Sequence, residues 1–241
     1  MLVPIRELVG DFNLRVSGVL HVGAHEAEEA IEYELFSWLP ITWIEAQPEL
    51  VSQLKRRLDA TKHTVLEAAI YDENGKELTF HISTNSQSSS LLEFGTHAND
   101  YPDVSNFSQI KVKTKRLDAV LKDLTVPNFI NLDIQGVELR ALMGLGTLLN
   151  AVDYVYTEVN RIEVYKECDL VEEIDQYLLK NGFKRVATRW HWLQGWGDAL
   201  YIRNELYHRT LVQYLRSAYR LALFYRHQYK AILIHYLMPR K

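Results

Sequence analysis

The segment GVLHVGAHEAEE, residues 18–29, indicates the fold class of this chain. Its apolar run at residues 19–22 is typical of a short buried strand, and Gly23 and Ala24 form the turn after it. Small and apolar residues then recur at helical spacing, which predicts a helix over residues 26–38. A strand, a glycine turn and a helix in this order are the start of a βαβ unit.

The same alternation continues along the chain. Further strands are predicted at residues 41–45, 64–70, 77–82, 110–115, 129–133 and 154–159, and further helices at residues 48–58, 117–122, 137–149 and 170–181. Residues 184–188 and 199–203 then form two strands joined by a loop. This pattern predicts an α/β fold with a mostly parallel, Rossmann-like sheet.

Residues 83–108 interrupt the alternation. They are rich in Ser, Asn and Gly and include the run Ser88, Ser89, Ser90. Loops of this length inside compact domains are uncommon and tend to be functional lids or disordered, and the serine run is placed to close over a donor or an acceptor. We therefore expect this segment to close over a ligand.

Composition narrows the class of protein. The chain has 241 residues, a net charge of −4 and one cysteine, Cys168. The negative charge gives no general affinity for nucleic acid, and we predict no nucleic-acid partner. A single thiol fits a reducing compartment, and the first sixteen residues lack the apolar core of a signal peptide. No run of 18 apolar residues occurs, so we expect a cytoplasmic protein.

Charge is divided unevenly between two parts of the chain. Residues 205–241 carry seven Lys or Arg and one acidic residue, whereas residues 1–204 carry 20 basic and 30 acidic ones. Apolar residues at helical spacing run through the basic part, which predicts an amphipathic helix. Such a helix packs on its own domain or forms a homodimer, or it lies peripherally on an anionic membrane surface. We expect a domain at 1–204 and a helical extension at 205–241.

The ends of the first three strands carry residues suited to an adenosine ligand. In open α/β sheets, ligands bind beyond the carboxyl ends of the strands. Glu45 ends the second strand, 22 residues after Gly23, where a carboxylate accepts hydrogen bonds from ribose hydroxyls. Ala68 near the end of the third strand leaves room for a flat ring. Ala27 stands where a dinucleotide fingerprint has a glycine, so a pyrophosphate is poorly accommodated.

Polar side chains also follow the next two buried strands of the expected sheet. Asp133, Gln135 and Glu138 cluster in the turn after one strand, and Glu158 and Asn160 end its neighbour. Burying unpaired carboxylates is costly, so two adjacent strand ends with carboxylates favour a polar cleft over plain packing. Asp133 is alternatively a cap for the helix that follows it.

The loop between the last two strands is aromatic. His191 lies among Trp190, Trp192 and Trp196. Such a group either stacks on a sugar face or packs as the tip of a hairpin. His and carboxylate residues elsewhere have no paired spacing of the kind that binds metal, and we predict no metal.

Six segments of the chain, in the right order, resemble the FkbM-type family of S-adenosylmethionine-dependent methyltransferases. They are GVLHVGAHEAEE, TWIEAQPEL, NSQSSSLL, NFINLDIQGVEL, YVYTEVN and WGDALYIR. The resemblance extends over about residues 17–204. It implies a class I methyltransferase sheet with a C-terminal antiparallel hairpin. It also implies S-adenosylmethionine as methyl donor and a hydroxyl of a sugar, glycan or small metabolite as acceptor.

The resemblance also assigns residues to the donor. Gly23, Ala24 and His25 would hold the methionine part, Glu45 the ribose and Ala68 the adenine. Asp133 would lie close to the donor as well. His21 stands where many members have an acidic residue, so the ammonium of the donor would be held differently here.

On the acceptor side, the resemblance places the methyl-transfer site near residues 133–138. The residues that we expect to contact the acceptor are Gln135, Glu138, Asn160, His191 and Trp196. A hydroxyl acceptor benefits from a general base. Asp133 and Glu158 are the favoured catalytic residues, and His191 and Asp198 are the alternatives.

Two other functions remain open at this point. One is a nicotinamide-dependent oxidoreductase of the same fold, against which the incomplete glycine pattern argues. The other is an inactive scaffold tethered through its basic extension, against which the presence of Glu45, Asp133 and Glu158 together argues.

Overall fold

The computed structural model of the chain describes residues 1–101, 103–191 and 193–237. Trp192 of the aromatic loop and the last four residues of the basic extension lie outside the described residues.

Seven strands form the main sheet. They are β1 Val19–Val22, β2 Ile41–Glu45, β3 His63–Glu67, β7 Phe129–Leu132, β8 Tyr154–Asn160, β9 Phe183–Trp190 and β10 Trp196–Arg203. Their order is β3-β2-β1-β7-β8-β10-β9. β10 runs antiparallel to both of its neighbours, and the other pairs are parallel. The expected mostly parallel sheet with a C-terminal hairpin is confirmed.

A smaller sheet contains β4 Ala69–Ile70, β5 Glu77–Ser83 and β6 Asn106–Lys115, in the order β4-β6-β5. The prediction of one strand over residues 64–70 was wrong. The backbone N–H of Ala68 still donates to Glu45, at 3.0 Å, but Ala69 pairs with Thr114 of the smaller sheet. The chain therefore changes sheets at Ala68, which periodicity within one strand cannot reveal.

Eight α-helices lie in the described part of the chain. They are α1 Ile5–Phe12, α2 Ala30–Leu35, α3 Pro48–Arg57, α4 His97–Asp100, α5 Leu117–Val120, α6 Glu138–Gly144, α7 Val171–Lys180 and α8 Leu211–Leu237. The pattern did not predict α1. None of the described helices combines the length and the hydropathy that a bilayer crossing demands.

The helix predicted at residues 26–38 is shorter than expected. His25 and Ala27 have positive φ angles of 44° and 53°, and α2 begins only at Ala30. A left-handed residue cannot continue a right-handed helix, so residues 23–29 form an irregular turn. The predicted helix N-terminus at the end of β1 is therefore absent from that position, and the ligand would meet a turn.

Both faces of the main sheet are buried, as expected for parallel strands. Val19 and Phe129 point to the face covered by α1 and α2, and the next residues, Leu20 and Ile130, point to the face covered by α6 and α7. With both faces filled, the edge at the carboxyl ends of β1, β2, β7 and β8 is left for a ligand.

Candidate functional site

A cavity of about 410 Å³ lies at this edge of the sheet. Its size is within the range of small-molecule sites. The predicted site residues that line it are Gly23, His25, Glu45, Ala68, Asp133, Gln135, Glu158 and Trp196. The other four, Ala24, Glu138, Asn160 and His191, are outside the lining.

Glu45 is held in a fixed orientation on the cavity wall. One carboxylate oxygen accepts the backbone N–H of His25 at 2.9 Å, and the other accepts those of Ala46 and Gln47, each at 2.9 Å. Burial raises the pKa of Glu45, and these three hydrogen bonds oppose that shift. The side chain thus presents oxygen acceptors with defined geometry to the cavity.

The backbone around position 23 requires a glycine there, whether or not a ligand is bound. It has a φ of 86°, and a Cβ built on it would lie 1.8 Å from the carbonyl oxygen of Asp133. Two strand ends, those of β1 and β7, are therefore in backbone contact beneath the cavity. The space beside Gly23 is thus filled by the backbone of Asp133.

The loop after β5 covers the cavity, as the sequence analysis expected. His25 Nε2 lies 2.7 Å from the Ser86 hydroxyl, while His25 Nδ1 lies 2.7 Å from Glu28. Its hydrogen bond to Glu28 raises the pKa of His25. Burial by itself would raise the pKa of Glu28, but the hydrogen bonds that its carboxylate accepts from His25 and Gln87 lower this pKa to about 2. These four residues join the loop to the turn after β1.

Further along, the same loop is tied to the turn after β7. The Ser90 hydroxyl donates to the carbonyl of Gln135 at 2.7 Å, and the Tyr165 hydroxyl, which donates to the Gln135 side chain, also lies 3.3 Å from the carbonyl oxygen of Ser88. The serine run therefore positions the loop through contacts at two points.

Asp133 and Glu158 are brought together by Gln135. Its amide nitrogen donates to Asp133 at 2.6 Å and to Glu158 at 3.0 Å, and its amide oxygen accepts the Tyr165 hydroxyl at 2.5 Å. Burial raises the pKa of Asp133, and burial together with the nearby Asp133 raises that of Glu158 well above its usual range. A carboxylate with a raised pKa is a better proton acceptor near neutral pH.

Asp198 completes the acidic end of the cavity. It lies on β10 opposite Glu158 of β8 and accepts hydrogen bonds from the Tyr156 hydroxyl and the backbone N–H of Leu2. Burial also raises the pKa of Asp198. Three carboxylates of neighbouring strands are therefore collected at one end of the cavity.

The cavity lining is mostly acidic, and the α-ammonium of Met1 lies in it 3.7 Å from Glu29. Six carboxylates line it, those of Glu28, Glu29, Glu45, Asp133, Glu158 and Asp198. Among its described lining residues there is neither Lys nor Arg. Burial lowers the pKa of His21 to about 4, so this imidazole is neutral at pH 7 and adds no positive charge. The cavity therefore favours ligands that carry positive charge.

Glu138 lies behind the site. It is fully buried, and its carboxylate accepts the backbone N–H groups of Ile134 and Gly136 at 3.1 Å. Burial raises its pKa to about 8. Its observed contacts shape the turn after β7, and its predicted role in acceptor binding remains a prediction.

Asn160 and His191 are close to the cavity without lining it. Asn160 is fully buried beside Trp196, and its amide has no hydrogen-bond partner among the described residues. His191 stacks on Trp196 with ring centroids 5.2 Å apart, which is the packed hairpin tip that the sequence allowed. Trp196 is the residue of this group that reaches the cavity.

Among the lining residues that sequence reasoning missed are His97, Tyr101 and Tyr165. The His97 ring is 5.4 Å from that of Tyr165 and 4.8 Å from that of Tyr101. Burial lowers the pKa of His97, and its Nδ1 has no hydrogen-bond partner within the described part of the chain. Two of the three lie in the irregular loop, where no periodicity singles out a residue.

Within residues 1–101, 103–191 and 193–237, no group of three His, Cys, Asp or Glu residues has the geometry of a metal site. The predicted absence of a metal remains a prediction.

Solved structures share the fold at low identity. The chain is similar to magnesium protoporphyrin IX methyltransferase from Synechocystis PCC 6803 with bound S-adenosylhomocysteine, at 10% identity over 83% of this chain and 80% of that chain, with a TM-score of 0.48. It is also similar to a putative tRNA methyltransferase from Streptococcus pneumoniae, at 14% identity over 100% of this chain and 91% of that chain, with a TM-score of 0.45. At these values the likeness carries no argument about activity.

Sequence comparison is more decisive. A search of curated protein sequences gives no match. Residues 21–185, well over half of the chain, match the model of the FkbM methyltransferase domain. Because this match covers more than half of the chain, the chain belongs to the FkbM family and is an S-adenosylmethionine-dependent methyltransferase.

Proposed function

We propose that this methyltransferase acts on a hydroxyl group of a sugar, a glycan or a small metabolite. The observation that carries the proposal is the pair of carboxylates, Asp133 and Glu158, joined by Gln135 beside an aromatic wall. The pair supplies a proton acceptor, and Trp196, Tyr101 and Tyr165 supply flat apolar surface of the kind on which a sugar ring stacks.

The residues of the other end suit the donor. Glu45 offers fixed carboxylate oxygens for the two ribose hydroxyls, and Ala68 and Ala69 leave space for the adenine. His25 closes the loop over this end. S-adenosylmethionine supplies, when bound, a methyl group activated by a positively charged sulfur.

The acidic end suits the charges of the donor. Burying three carboxylates is costly, and the single α-ammonium of Met1 in the described lining, where there is no Lys or Arg, does not balance all of them. The ammonium and sulfonium of the donor would provide that balance. The neutral His21 of β1 does not repel them, although the resemblance implies an acidic group at this position.

Proton transfer is assigned to the carboxylates. In our proposal Glu158 accepts the proton of the acceptor hydroxyl, and Gln135 keeps Glu158 and Asp133 at a fixed separation. Proximity contributes as well, because an acceptor held against Trp196 and Tyr165 has few orientations. The predicted division into a catalytic domain at 1–204 and an extension at 205–241 is part of the same proposal.

The experiment is a screen of hydroxyl acceptors with purified protein and S-adenosylmethionine, read out as release of S-adenosylhomocysteine. Monosaccharides, oligosaccharides and small polyols are compared with matched primary amines. With an acceptor found, Glu158→Gln is expected to lower kcat by about 10²–10⁴-fold while the Kd for the donor changes little. Glu172→Gln, on the exposed side of α7, is the matched control.

Two results would contradict the proposal. Methylation of the amines but of none of the hydroxyl compounds would show that the acceptor group is an amine. A Glu158→Gln variant with unchanged kcat would remove this residue from proton transfer and leave Asp133 and His97 as the next residues to substitute.

A further inference from the structure

The helix α8 presents an apolar face to solvent. Leu211, Val212, Leu215 and Tyr219 are 74%, 63%, 63% and 66% exposed. They share one side of the helix, since residues four apart are neighbours on an α-helix. We call these four residues the outer face of α8.

The opposite side of α8 is attached to the catalytic domain. Ser217 donates to Asp11 at 2.6 Å, and Arg220 forms an ion pair with the same carboxylate at 3.0 Å. Nearer its C-terminal end, the Tyr225 hydroxyl accepts the backbone N–H of Trp190 at 3.2 Å. These contacts fix the rotation of the helix, so the outer face is turned away from the domain.

Charge distinguishes α8 from the rest of the chain. Residues 206–241 contain seven Lys or Arg and no Asp or Glu. Arg226 and Lys230 are exposed on the same side as the outer face, about two and three turns beyond Tyr219. Residues 1–205 contain 20 basic and 31 acidic residues. A negatively charged surface therefore attracts α8 and repels the remainder of the chain.

We propose that α8 binds the surface of a bilayer that contains anionic lipids. The outer face enters the boundary between headgroups and acyl chains, and Arg226 and Lys230 lie against lipid phosphates. The helix lies parallel to the membrane plane, because its other side is held by α1 and β9.

Charge argues against a second copy of the chain as the occupant. In a symmetric dimer the same face of both partners meets. Arg226 and Lys230 of one copy would then face the basic residues of the other, with no acidic residue of α8 between them. A bilayer of anionic lipids covers the same apolar residues and supplies the opposite charge.

The experiment is cosedimentation of the full chain with vesicles of phosphatidylcholine alone or with 30% phosphatidylglycerol. Binding is expected only with the anionic vesicles, and it weakens as NaCl is raised because surface charges are screened. Arg226→Gln combined with Lys230→Gln is expected to weaken binding about 25-fold, at about fivefold for each cation near the surface. Leu215→Asp combined with Tyr219→Asp is expected to abolish it.

Leu179→Asp is the matched control, because Leu179 is 67% exposed on α7 and outside α8. It is expected to bind vesicles as the unchanged chain does. Every variant is also tested for binding of S-adenosylmethionine in solution, which none of these surface substitutions should alter. That measurement separates loss of membrane binding from loss of the fold or of the proposed catalytic function.

Two outcomes would overturn the proposal. Equal sedimentation with both vesicle types, or none with either, removes the anionic bilayer as the occupant. A dimer in light-scattering measurements that Leu215→Asp and Tyr219→Asp convert to a monomer would assign the outer face to a second copy of the chain.

Discussion

The backbone N–H of His25 donates a 2.9 Å hydrogen bond to the side chain of Glu45. This contact joins the turn after β1 to the end of β2 at the wall of the cavity. Because Ala46 and Gln47 hold the other oxygen, the carboxylate has its orientation before any ligand arrives. Preorganisation of this kind favours affinity, since the protein loses no further freedom on binding.

Substitution of Glu45 should weaken donor binding. Glu45→Ala removes the acceptor of the proposed ribose hydrogen bonds and is expected to raise the Kd for S-adenosylmethionine by tenfold or more. Glu45→Gln keeps one oxygen acceptor and should have an intermediate effect. Calorimetric titration measures both.

Loss of the three backbone hydrogen bonds should also lower the free energy of unfolding of Glu45→Ala by about 1–3 kcal/mol. Urea unfolding without ligand measures this part separately. Unchanged donor affinity in a folded Glu45→Ala protein would contradict the ribose assignment.

Gly23 should tolerate no side chain. Gly23→Ala brings a Cβ to 1.8 Å from the Asp133 carbonyl, so β1 and β7 must separate or the chain must unfold. We expect a loss of several kcal/mol or no folded protein, measured by circular dichroism and urea unfolding.

Gly75→Ala is the control for this prediction. Gly75 also has a positive φ, of 78°, but no atom lies within 4 Å of a Cβ built there. Only the conformational cost of about 1–2 kcal/mol applies. Equal destabilisation by the two substitutions would show that the contact with Asp133 relaxes freely.

The effect of S-adenosylmethionine on thermal stability should depend on pH. Burial raises the pKa values of Asp133, Glu158 and Asp198. Their contribution to stability is fully present below the ordinary carboxyl pKa of about 4 and is lost as the pH rises through the raised values. The ligand-free protein is therefore expected to lose Tm through the ionisation of these groups as the pH rises above about 4.

The positive charges of the donor favour the ionised carboxylates. The increase in Tm on adding S-adenosylmethionine should thus be larger at pH 8 than at pH 6. S-adenosylhomocysteine lacks the sulfonium charge and should show a weaker dependence. An equal increase in Tm at both pH values would show that the charges of the donor do not interact with the acidic end of the cavity.

Glu138 should make the folded protein sensitive to alkaline pH. Its pKa of about 8 means that folding is opposed as this buried group ionises, so stability is lost between about pH 5 and pH 9. Glu138→Gln keeps an oxygen for the turn and cannot ionise. Over this pH range the unfolding free energy of the variant is expected to fall less than that of the unchanged chain, and the difference is on the order of a few kcal/mol.

Glu26→Gln, which removes an exposed carboxylate from the turn after β1, is the control. It should leave the pH dependence of unfolding unchanged. A Glu138→Gln protein with the pH profile of the unchanged chain would show that this carboxyl does not ionise in the folded state over the range.

His25 should hold the loop closed. His25→Ala removes the contacts with Ser86 and Glu28, and we expect faster proteolysis of the loop near residues 85–91 and faster donor release. The imidazole of His25 is protonated and paired with Glu28 below its raised pKa, and this ion pair weakens as the pH rises through that pKa. Release of the donor from the unchanged protein should therefore be slower at pH 6 than at pH 8.

Ser90→Ala offers a comparison at the other attachment of the loop, because its hydroxyl donates to Gln135. It should also speed donor release, but without the pH dependence that the imidazole gives. A His25→Ala protein with unaltered release would contradict the closing role of this residue.

The sequence by itself determined where most of the strands lie along the chain and which carboxylates stand at their ends. Buried parallel strands are continuous apolar runs, and the residue that follows each run falls at the same edge of the sheet. Glu45, Asp133 and Glu158 could therefore be assigned to one cleft from local patterns. These positions depend only on where each strand stops, which neighbouring residues along the chain decide.

Tertiary structure alone decided what depends on contacts between distant segments. Three features depend on segments far along the chain. They are the change of sheet at Ala68, the irregular turn before Ala30 and the position of His97 in the cavity lining. Burial is likewise a property of the packed whole, and it separates Glu138, enclosed behind the turn, from Glu158, which lines the cavity. Hydrophobic periodicity shows which face of a single helix or strand is buried, whereas the enclosure of a side chain depends on every element that packs around it.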